Sequence, residues 1–350
     1  MDFCMILIDG RMGEGGGQIL RTALSLSAAT GKAFRLIHIR KKRNKPGLRH
    51  QHLACVNAAA EICGGRCHGN ALQSVELEFV PGPIRSGNFW FAIPTAGSAM
   101  QVMQTVLPVL SRAAGQSVVT VRGGTHNPGA PPFEFFTESF LPLLRQLGIN
   151  AEMQIRKHGF YPVGGGEIAA TIHPQTAGAP AFSFHQRGEP DAAGAEILLS
   201  WLPHVIAERE SKALRQKLGW PDGKIKLREI TDSPGPGNVI MIRVKYGAQT
   251  YLFTAFGQRG KPAEQVAAEV SEAFIKFRLR NAALDEHLAN QVLLYLALNN
   301  GGAFTTESLS SHTKTNLEVI KRFLETKINA RKKNDGCFEI SINPSTGLTE

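Results

Sequence analysis

The sequence predicts an α+β (α/β) protein: a large domain of three repeated β-α-β-α-β-β units about a pseudo-threefold axis, with a smaller α/β domain inserted into it. Three observations predict this. One order of apolar runs, helical periods and Gly stops recurs at roughly 90 residues, too long a period for a solenoid. Gln18, Gln104 and Gln291 each fall near the start of the first helix of a copy, while Arg49, Pro131 and His312 each open the second helix. Residues 184–278 break that pattern and carry apolar patterning of their own, with TAGAPA before them and DSPGPGN within.

In chain order, CMILID reads as a buried strand, and GRMGEGGGQILRTALSLSAATGK as a Gly-rich turn, a helix and a Gly stop. AFRLIHIR alternates as a strand, and LRHQHLACVNAAAEICGG is an amphipathic helix closed by Gly. VELEFVPG and FWFAI are taken as the last two strands of the first copy. The second copy runs through the helix SAMQVMQTVLPVLSRAAGQS, the strand SVVTVRGG, a Pro-opened helix ending at LLRQLG, and the strands AEMQIRK and GGEIAATIHP. In the insert, AEILLSWLPHVIAERESKALRQKLG is expected to be helical, KIKLREI, NVIMIRVKYG and TYLFTAFG to be strands, and PAEQVAAEVSEAFIKFRLRN to be a long helix. The third copy has the helix LANQVLLYLALNNGG, the strand FTTESL, a second helix from His312, and a hairpin of INARKK with CFEISINP. The large domain is therefore residues 1–183 plus 279–350, with copies at about 1–94, 95–183 and 279–350, and the inserted domain is 184–278. Threefold packing brings equivalent loops to one end, so His312 is expected to face the Gly-rich and basic loops of the first copy.

A chain of 350 residues, 43% hydrophobic and 19% charged, has the composition of a globular protein with full cores, not of a disordered one. Its net charge of +10 is concentrated in IRKKRNKPGLRH, residues 39–50, which contains no acid and suits phosphate or nucleic acid. Five cysteines without a regular framework point to reduced thiols, and CGGRCH lacks the second Cys/His pair of a zinc site. No apolar run reaches the roughly 20 residues of a membrane span, and the first apolar run is too short for a signal segment. A cytoplasmic protein is expected.

His312 lies at the mouth of a helix, among the capping types Ser310, Ser311 and Thr313, with Leu317, Ile320, Phe323 and Leu324 recurring behind it at helical spacing. A helix start favours an anion such as a nucleotide phosphate, and an imidazole placed there is a candidate covalent nucleophile. Gly13–Gln18, GEGGGQ, offers backbone that can approach an oxyanion closely, although it has neither the P-loop nor the dinucleotide spacing, and a tight strand-to-helix turn accounts for it equally well. A carboxylate beside a phosphate site needs a cation, which makes Glu14 a candidate divalent-metal ligand. Arg40, Arg43 and Arg49 are suited to bidentate phosphate contacts, with Gln51 and His52 helping to orient the group. GGTHNPGAPPFEF is a candidate purine wall, and HGFYPVGGGE repeats the Gly-rich theme.

Together, IDGRMGEGGGQILR, IRKKRNKPGLRHQHL, TAGSAMQVMQTVLPVL, RGGTHNPGAPP, HGFYPVGGGE and SSHTKTN resemble the RNA 3'-terminal phosphate cyclase family in order and spacing, over essentially the whole chain. The resemblance is to the catalytic branch rather than to the cyclase-like ribosome-assembly branch, which lacks the histidine. It implies that His312 takes AMP from ATP, that AMP passes to an RNA 3'-phosphate, and that O2' then displaces it to leave a 2',3'-cyclic phosphate. It also implies phosphate neutralisation by Arg21, Arg40, Arg43 and a divalent cation (Mg2+ or Mn2+) near Glu14, and ATP contacts at Gln104, at Pro131 by the adenine, and along Glu286, His287, Leu288, Ala289 and Asn290. In that last stretch the family usually reads EYLADQ where this chain reads EHLANQ, so His287 and Asn290 depart from the pattern. Two rival readings follow: a non-catalytic, cyclase-like RNA-binding scaffold, and an enolpyruvyl-transferase-like enzyme, which would not explain the basic loop.

Overall fold

The computed structural model describes residues 5–176 and 181–344; Cys4 of the first expected strand and most of TAGAPA lie outside them. The first unit comprises β1 (Ile6–Asp9), α1 (Gly17–Thr30), β2 (Phe34–Ile37), α2 (His50–Cys63), β3 (Arg66–His68) and β4 (Leu77–Val80), in sheet order β1-β2-β4-β3. Its first two strands are parallel and the other pairings antiparallel. The second unit repeats that order as β5-β6-β8-β7, from β5 (Asn88–Ala92), α3 (Ala99–Leu110), β6 (Ser117–Gly123), a π-helical segment Phe135–Phe140 running into α4 (Leu141–Arg145), β7 (Ala151–Lys157) and β8 (Gly166–Ile172).

The insert follows β9 (Phe182–Phe184). It consists of β10 (Ala192–Ser200), α5 (His204–Leu218), β11 (Ile225–Glu229), β12 (Gly237–Tyr246), β13 (Gln249–Phe256) and α6 (Ala263–Arg278), in sheet order β11-β10-β12-β13. The third unit then resumes with α7 (Glu286–Leu298), β14 (Gly302–Thr306), α8 (Ser311–Phe323), β15 (Ile328–Lys332) and β16 (Phe338–Ile342), and its sheet runs β9-β14-β16-β15.

Three expectations about strands are corrected by the pairing. FWFAI does not close the first unit: as β5 it pairs in parallel with β6 and opens the second sheet. The third unit does not begin at residue 279, because β9 lies before the insert and pairs in parallel with β14. The insert therefore interrupts a β-α-β crossover between its first strand and its helix. AEILLSWLPHVIAERESKALRQKLG is not one helix either. Ile197, Leu198 and Leu199 are buried in a central strand, Trp201 turns the chain at a φ of 53°, and α5 begins after Pro203. A short apolar run does not by itself distinguish buried strand from helix.

The helices of the three units share one core, in which α1 packs against α2, α3, α7 and α8. Leu20 and Leu24 of α1, Met103 and Leu107 of α3, and Leu293 and Leu296 of α7 are fully buried, each worth about 1.5–3 kcal/mol over exposure. Arg187 ties the two linkers of the insert together: it donates to the carbonyls of Phe277 (2.8 Å) and Ala282 (3.0 Å), and its guanidinium lies 3.9 Å from the centre of the Phe277 ring. Among the described residues no helix is long and apolar enough to cross a membrane.

Candidate active site

The site is assembled where the loop after β1 meets the start of α8. Gly13 turns that loop at a φ of 51°, and a Cβ there would lie 1.9 Å from Thr315 Oγ1, so only glycine lets the loop rest on α8. The close approach lets Thr315 Oγ1 accept from the Glu14 amide at 3.2 Å and points Glu14 at the residue one turn earlier in α8, His312. Ser310 caps α8, its hydroxyl accepting from the Thr313 amide at 3.1 Å.

The His312 side chain is 52% exposed, with its Nδ1 2.8 Å from Gln18 Oε1 and 3.2 Å from Glu14 Oε1. Both oxygens are acceptors, so Nδ1 carries the hydrogen and the lone pair of the neutral ring resides on Nε2. The Gln18 amide cannot turn over without loss, because its Nε2 donates to Asn290 Oδ1 at 2.8 Å. Asn290 Oδ1 also accepts from Asn316 Nδ2 at 3.3 Å, and Asn316 Oδ1 accepts from the Thr22 hydroxyl at 2.8 Å. Each amide orientation thus fixes the next, and the chain of bonds ends on the imidazole.

Glu14 is nearly buried, at 8% side-chain exposure, and its Oε2 accepts from Arg43 Nη2 at 2.5 Å. Burial pushes its pKa up, but the His312 hydrogen bond and the charges of His312, Arg43 and Arg21 outweigh that and hold it below the usual carboxylate range. Both oxygens are committed to protein partners, and among the described residues no group of three His, Cys, Asp or Glu side chains is arranged to hold a metal ion. Arg43 places a positive charge beside this carboxylate.

The basic loop folds over the glycine loop. Lys42 Nζ donates to the Gly13 carbonyl at 2.8 Å. Arg40, itself at a φ of 55°, donates to the carbonyls of Lys45 (2.7 Å) and Gly47 (3.0 Å), so part of its guanidinium shapes the loop. His52 is buried and accepts from the Arg49 amide at Nδ1 (3.2 Å), which places its proton on Nε2, against Gly17. Burial first, then the charges of Arg40, Arg21 and Arg49, lower its pKa to about 3, so it is a neutral donor.

A second chain of bonds starts at Arg21. Arg21 Nη1 and Gln51 Nε2 both donate to Gln101 Oε1, at 3.2 and 2.9 Å, and Gln51 Oε1 accepts from the Ser98 amide at 3.3 Å. Gln18, Gln104 and Gln291, one from each unit, line a single polar cavity with Arg21, Asn290 and Tyr295. There Gln104 Oε1 and Tyr295 Oη are buried without a protein partner, as polar groups facing a ligand would be.

The remaining expected residues are placed more unevenly. Glu286 accepts from the Ser308 hydroxyl at 2.9 Å, His287 is exposed, and Leu288 and Ala289 are wholly buried core residues; within that stretch Asn290 is the one bonded to Gln18. Pro131 does not line the cavity of the three glutamines; it sits on a loop whose ends are joined by a buried His126–Glu134 contact of 2.8 Å. Gln101, Thr315 and Asn316 were missed in the sequence. Helical spacing was the signal for Asn316, which follows His312 by four residues and so shares its face.

The model of the RNA 3'-terminal phosphate cyclase family matches residues 12–330. Proteins named RNA 3'-terminal phosphate cyclase match along nearly their whole length. The one from Ralstonia nicotianae is 44% identical over 94% of both chains, and that from Salmonella agona is 44% identical over 95% of both. The one from Pseudomonas fluorescens is 42% identical over 97% of this chain and 98% of its own.

Proposed function

The chain belongs to the RNA 3'-terminal phosphate cyclase family, and on that premise we propose that it uses ATP to convert an RNA 3'-terminal phosphate into a 2',3'-cyclic phosphate through a covalent adenylate on His312. His312 Nε2 attacks the α-phosphorus of ATP; a P–N bond forms, the bond to the bridging oxygen breaks, and pyrophosphate leaves with the electron pair. An oxygen of the RNA 3'-phosphate then attacks the same phosphorus, the P–N bond breaks, and RNA(3')pp(5')A results. Finally O2' attacks the RNA phosphorus, loses its proton, and expels AMP. Covalent transfer splits one difficult displacement into easier ones, and adenylylation turns a poor leaving oxygen into a good one.

The observation that carries this reading is the imidazole whose Nδ1 is held between two acceptors while its Nε2 stays open at a half-exposed position. Glu14 stabilises the positive charge that develops on the ring as Nε2 bonds to phosphorus. Arg21, Arg43 and the free face of Arg40 neutralise phosphate oxygens, Gln51 and His52 orient the RNA end, and Gln104 contacts the nucleotide. Pro131 is assigned to the adenine, and Glu286, His287 and Asn290 to the nucleotide, with the buried Leu288 and Ala289 holding their stretch in the core. Glu14 would hold a divalent cation, which would supply further neutralisation of phosphate charge there, and no step is routed through it. The phosphates of ATP are themselves ligands for Mg2+ or Mn2+.

The scaffold reading rested on His287 and Asn290. In place of the family's aspartate, Asn290 still presents an acceptor oxygen to Gln18, which favours the enzyme. A chain that consumes ATP and RNA is assigned to the cytoplasm. The test is to weigh the intact protein after incubation with ATP and a divalent cation. A gain of one AMP, absent in His312→Ala, supports the proposal; an unchanged mass in the unaltered protein overturns it.

A further inference from the structure

The HGFYPVGGGE motif takes no part in the network around His312, yet it forms the seam between the second unit and the insert. At that seam two aromatic side chains stand out in water: Tyr161 is 60% exposed and Trp201 71%. Tyr161 belongs to the loop between β7 and β8, and Trp201 directly follows β10 of the insert. The backbones joining them are in tight contact. A Cβ on Gly235 would lie 2.5 Å from the Val163 side chain, and the carbonyl of Gly235 accepts from Ser200 Oγ at 3.2 Å.

The same loop reaches the active site from its other side. A Cβ on Gly164 would lie 2.6 Å from Ala96 Cα, and two residues on, the Ser98 amide donates to Gln51, which shares Gln101 with Arg21. A run of contacts therefore leads from Arg21 and Gln51, through Ser98, Ala96 and the Gly164 loop, to Gly235 and Ser200, the residue before Trp201. Its acids are already engaged: Asp232 accepts from His158 at 2.7 Å, and Glu229 is 3.5 Å from His204. Lys157, Lys226 and Arg228, all exposed, form no ion pair among the described residues.

We propose that Tyr161 and Trp201 form a stacking platform, flanked by these cations, for the bases of single-stranded RNA that lead up to the 3'-phosphate. This rests on the cyclase reading of the site and deepens it by giving the insert a share in substrate binding. Separate aromatic faces among cations suit bases and phosphates, which stack and pair without regard to sequence.

The test compares 5'-labelled RNAs of two and twelve nucleotides bearing a 3'-phosphate, with binding read by fluorescence anisotropy in the unaltered protein, in Tyr161→Ala/Trp201→Ala and in Trp201→Phe. The double variant should lose roughly ten- to hundredfold in affinity for the long RNA and little for the short one. Trp201→Phe should retain most of the affinity, and loading of His312 with AMP should be unchanged throughout. Equal affinity of the double variant and the unaltered protein for the long RNA overturns the platform, as a protein-docking role would also require. Binding is read without turnover, so a failure of AMP loading with the length effect intact would sink the cyclase reading alone and leave the platform standing.

Discussion

His312 and His126 each face a glutamate, yet the two pairs sit in opposite surroundings. His312 Nδ1 lies 3.2 Å from Glu14 with its ring half in water, whereas His126 Nε2 lies 2.8 Å from Glu134 with both side chains buried. In the buried pair the second nitrogen is engaged too, by Thr125 Oγ1 at 2.8 Å, and His158 and Phe160 stack on the ring. Burial pushes the Glu134 pKa up, but the charge and hydrogen bond of His126 bring it down to about 2, so the carboxylate stays ionised inside the protein. A histidine beside a carboxylate is thus no mark of reactivity. What distinguishes His312 is one nitrogen without a protein partner among the described residues and open to an incoming phosphate, while His126 is a clasp closing the loop that carries Pro131.

The widest separation between the pairs is expected from alanine. His312→Ala should abolish AMP loading and cyclisation while leaving the thermal midpoint nearly unchanged, since its ring is half-exposed and both of its partners keep another one, Glu14 in Arg43 and Gln18 in Asn290. His126→Ala should do the reverse, costing about 3–5 kcal/mol in denaturant unfolding because it strands the buried Glu134 charge. If His312→Ala unfolds the protein, or His126→Ala leaves its stability intact, the contrast between nucleophile and clasp collapses.

A narrower probe is Glu14→Gln, which keeps an acceptor for Nδ1–H but removes the charge facing the ring. The rate of AMP loading should fall roughly a hundredfold with the fold intact, because the positive charge forming on the imidazole loses its counter-ion. Stopped-time intact-mass measurements read that rate. A rate within twofold of the unaltered protein would show that Gln18 alone suffices to hold and support the ring.

Why one pair was legible in the sequence and the other was not follows from locality. His312 announces itself through neighbours: a serine cap two residues before it and an apolar stripe behind. The convergence of Gln18, Gln104 and Gln291 could be read because a repeated order implies equivalent positions. Features set by distant partners were hidden. The pairing of Glu14 with Arg43 joins two loops, and the left-handed turn that folds Arg40 onto the carbonyls of Lys45 and Gly47 falls on a residue that is not glycine. β5 was misassigned and β9 missed for the same reason, since a short strand names its neighbours only through the sheet it joins.

His52 shows what burial does to an imidazole with no carboxylate opposite. Its pKa in the folded protein is about 3, against an ordinary value of 6.5, so the fold favours the neutral ring. Between those values the unfolded chain binds more protons, and stability is therefore full above pH 6.5 and declines as the pH falls toward 3. The loss should be on the order of a few kcal/mol, and His52→Gln should remove most of that slope. Urea midpoints at pH 7.5 and 5 check it; an identical pH slope in the variant would mean that the slope arises at other groups.

The smallest effect is expected from a carboxylate buried without any histidine. Glu210, on α5 of the insert, is fully buried; its Oε2 accepts from Asn238 Nδ2 at 3.0 Å, and its Oε1 has no partner. Burial raises its pKa to about 7, with Asn238 pulling it down and Glu264 pushing it further up, the reverse of what His126 does for Glu134. Between pH 4.5 and 7 the folded state holds the proton that the unfolded chain releases, so this group contributes stability below that window and loses it as the pH rises through it. Glu210→Gln should therefore stabilise the protein at pH 8 by roughly 1–3 kcal/mol and leave it little changed at pH 4.5. A gain of equal size at both pH values would mean that packing, rather than the cost of an ionised carboxylate without a cation, governs this position.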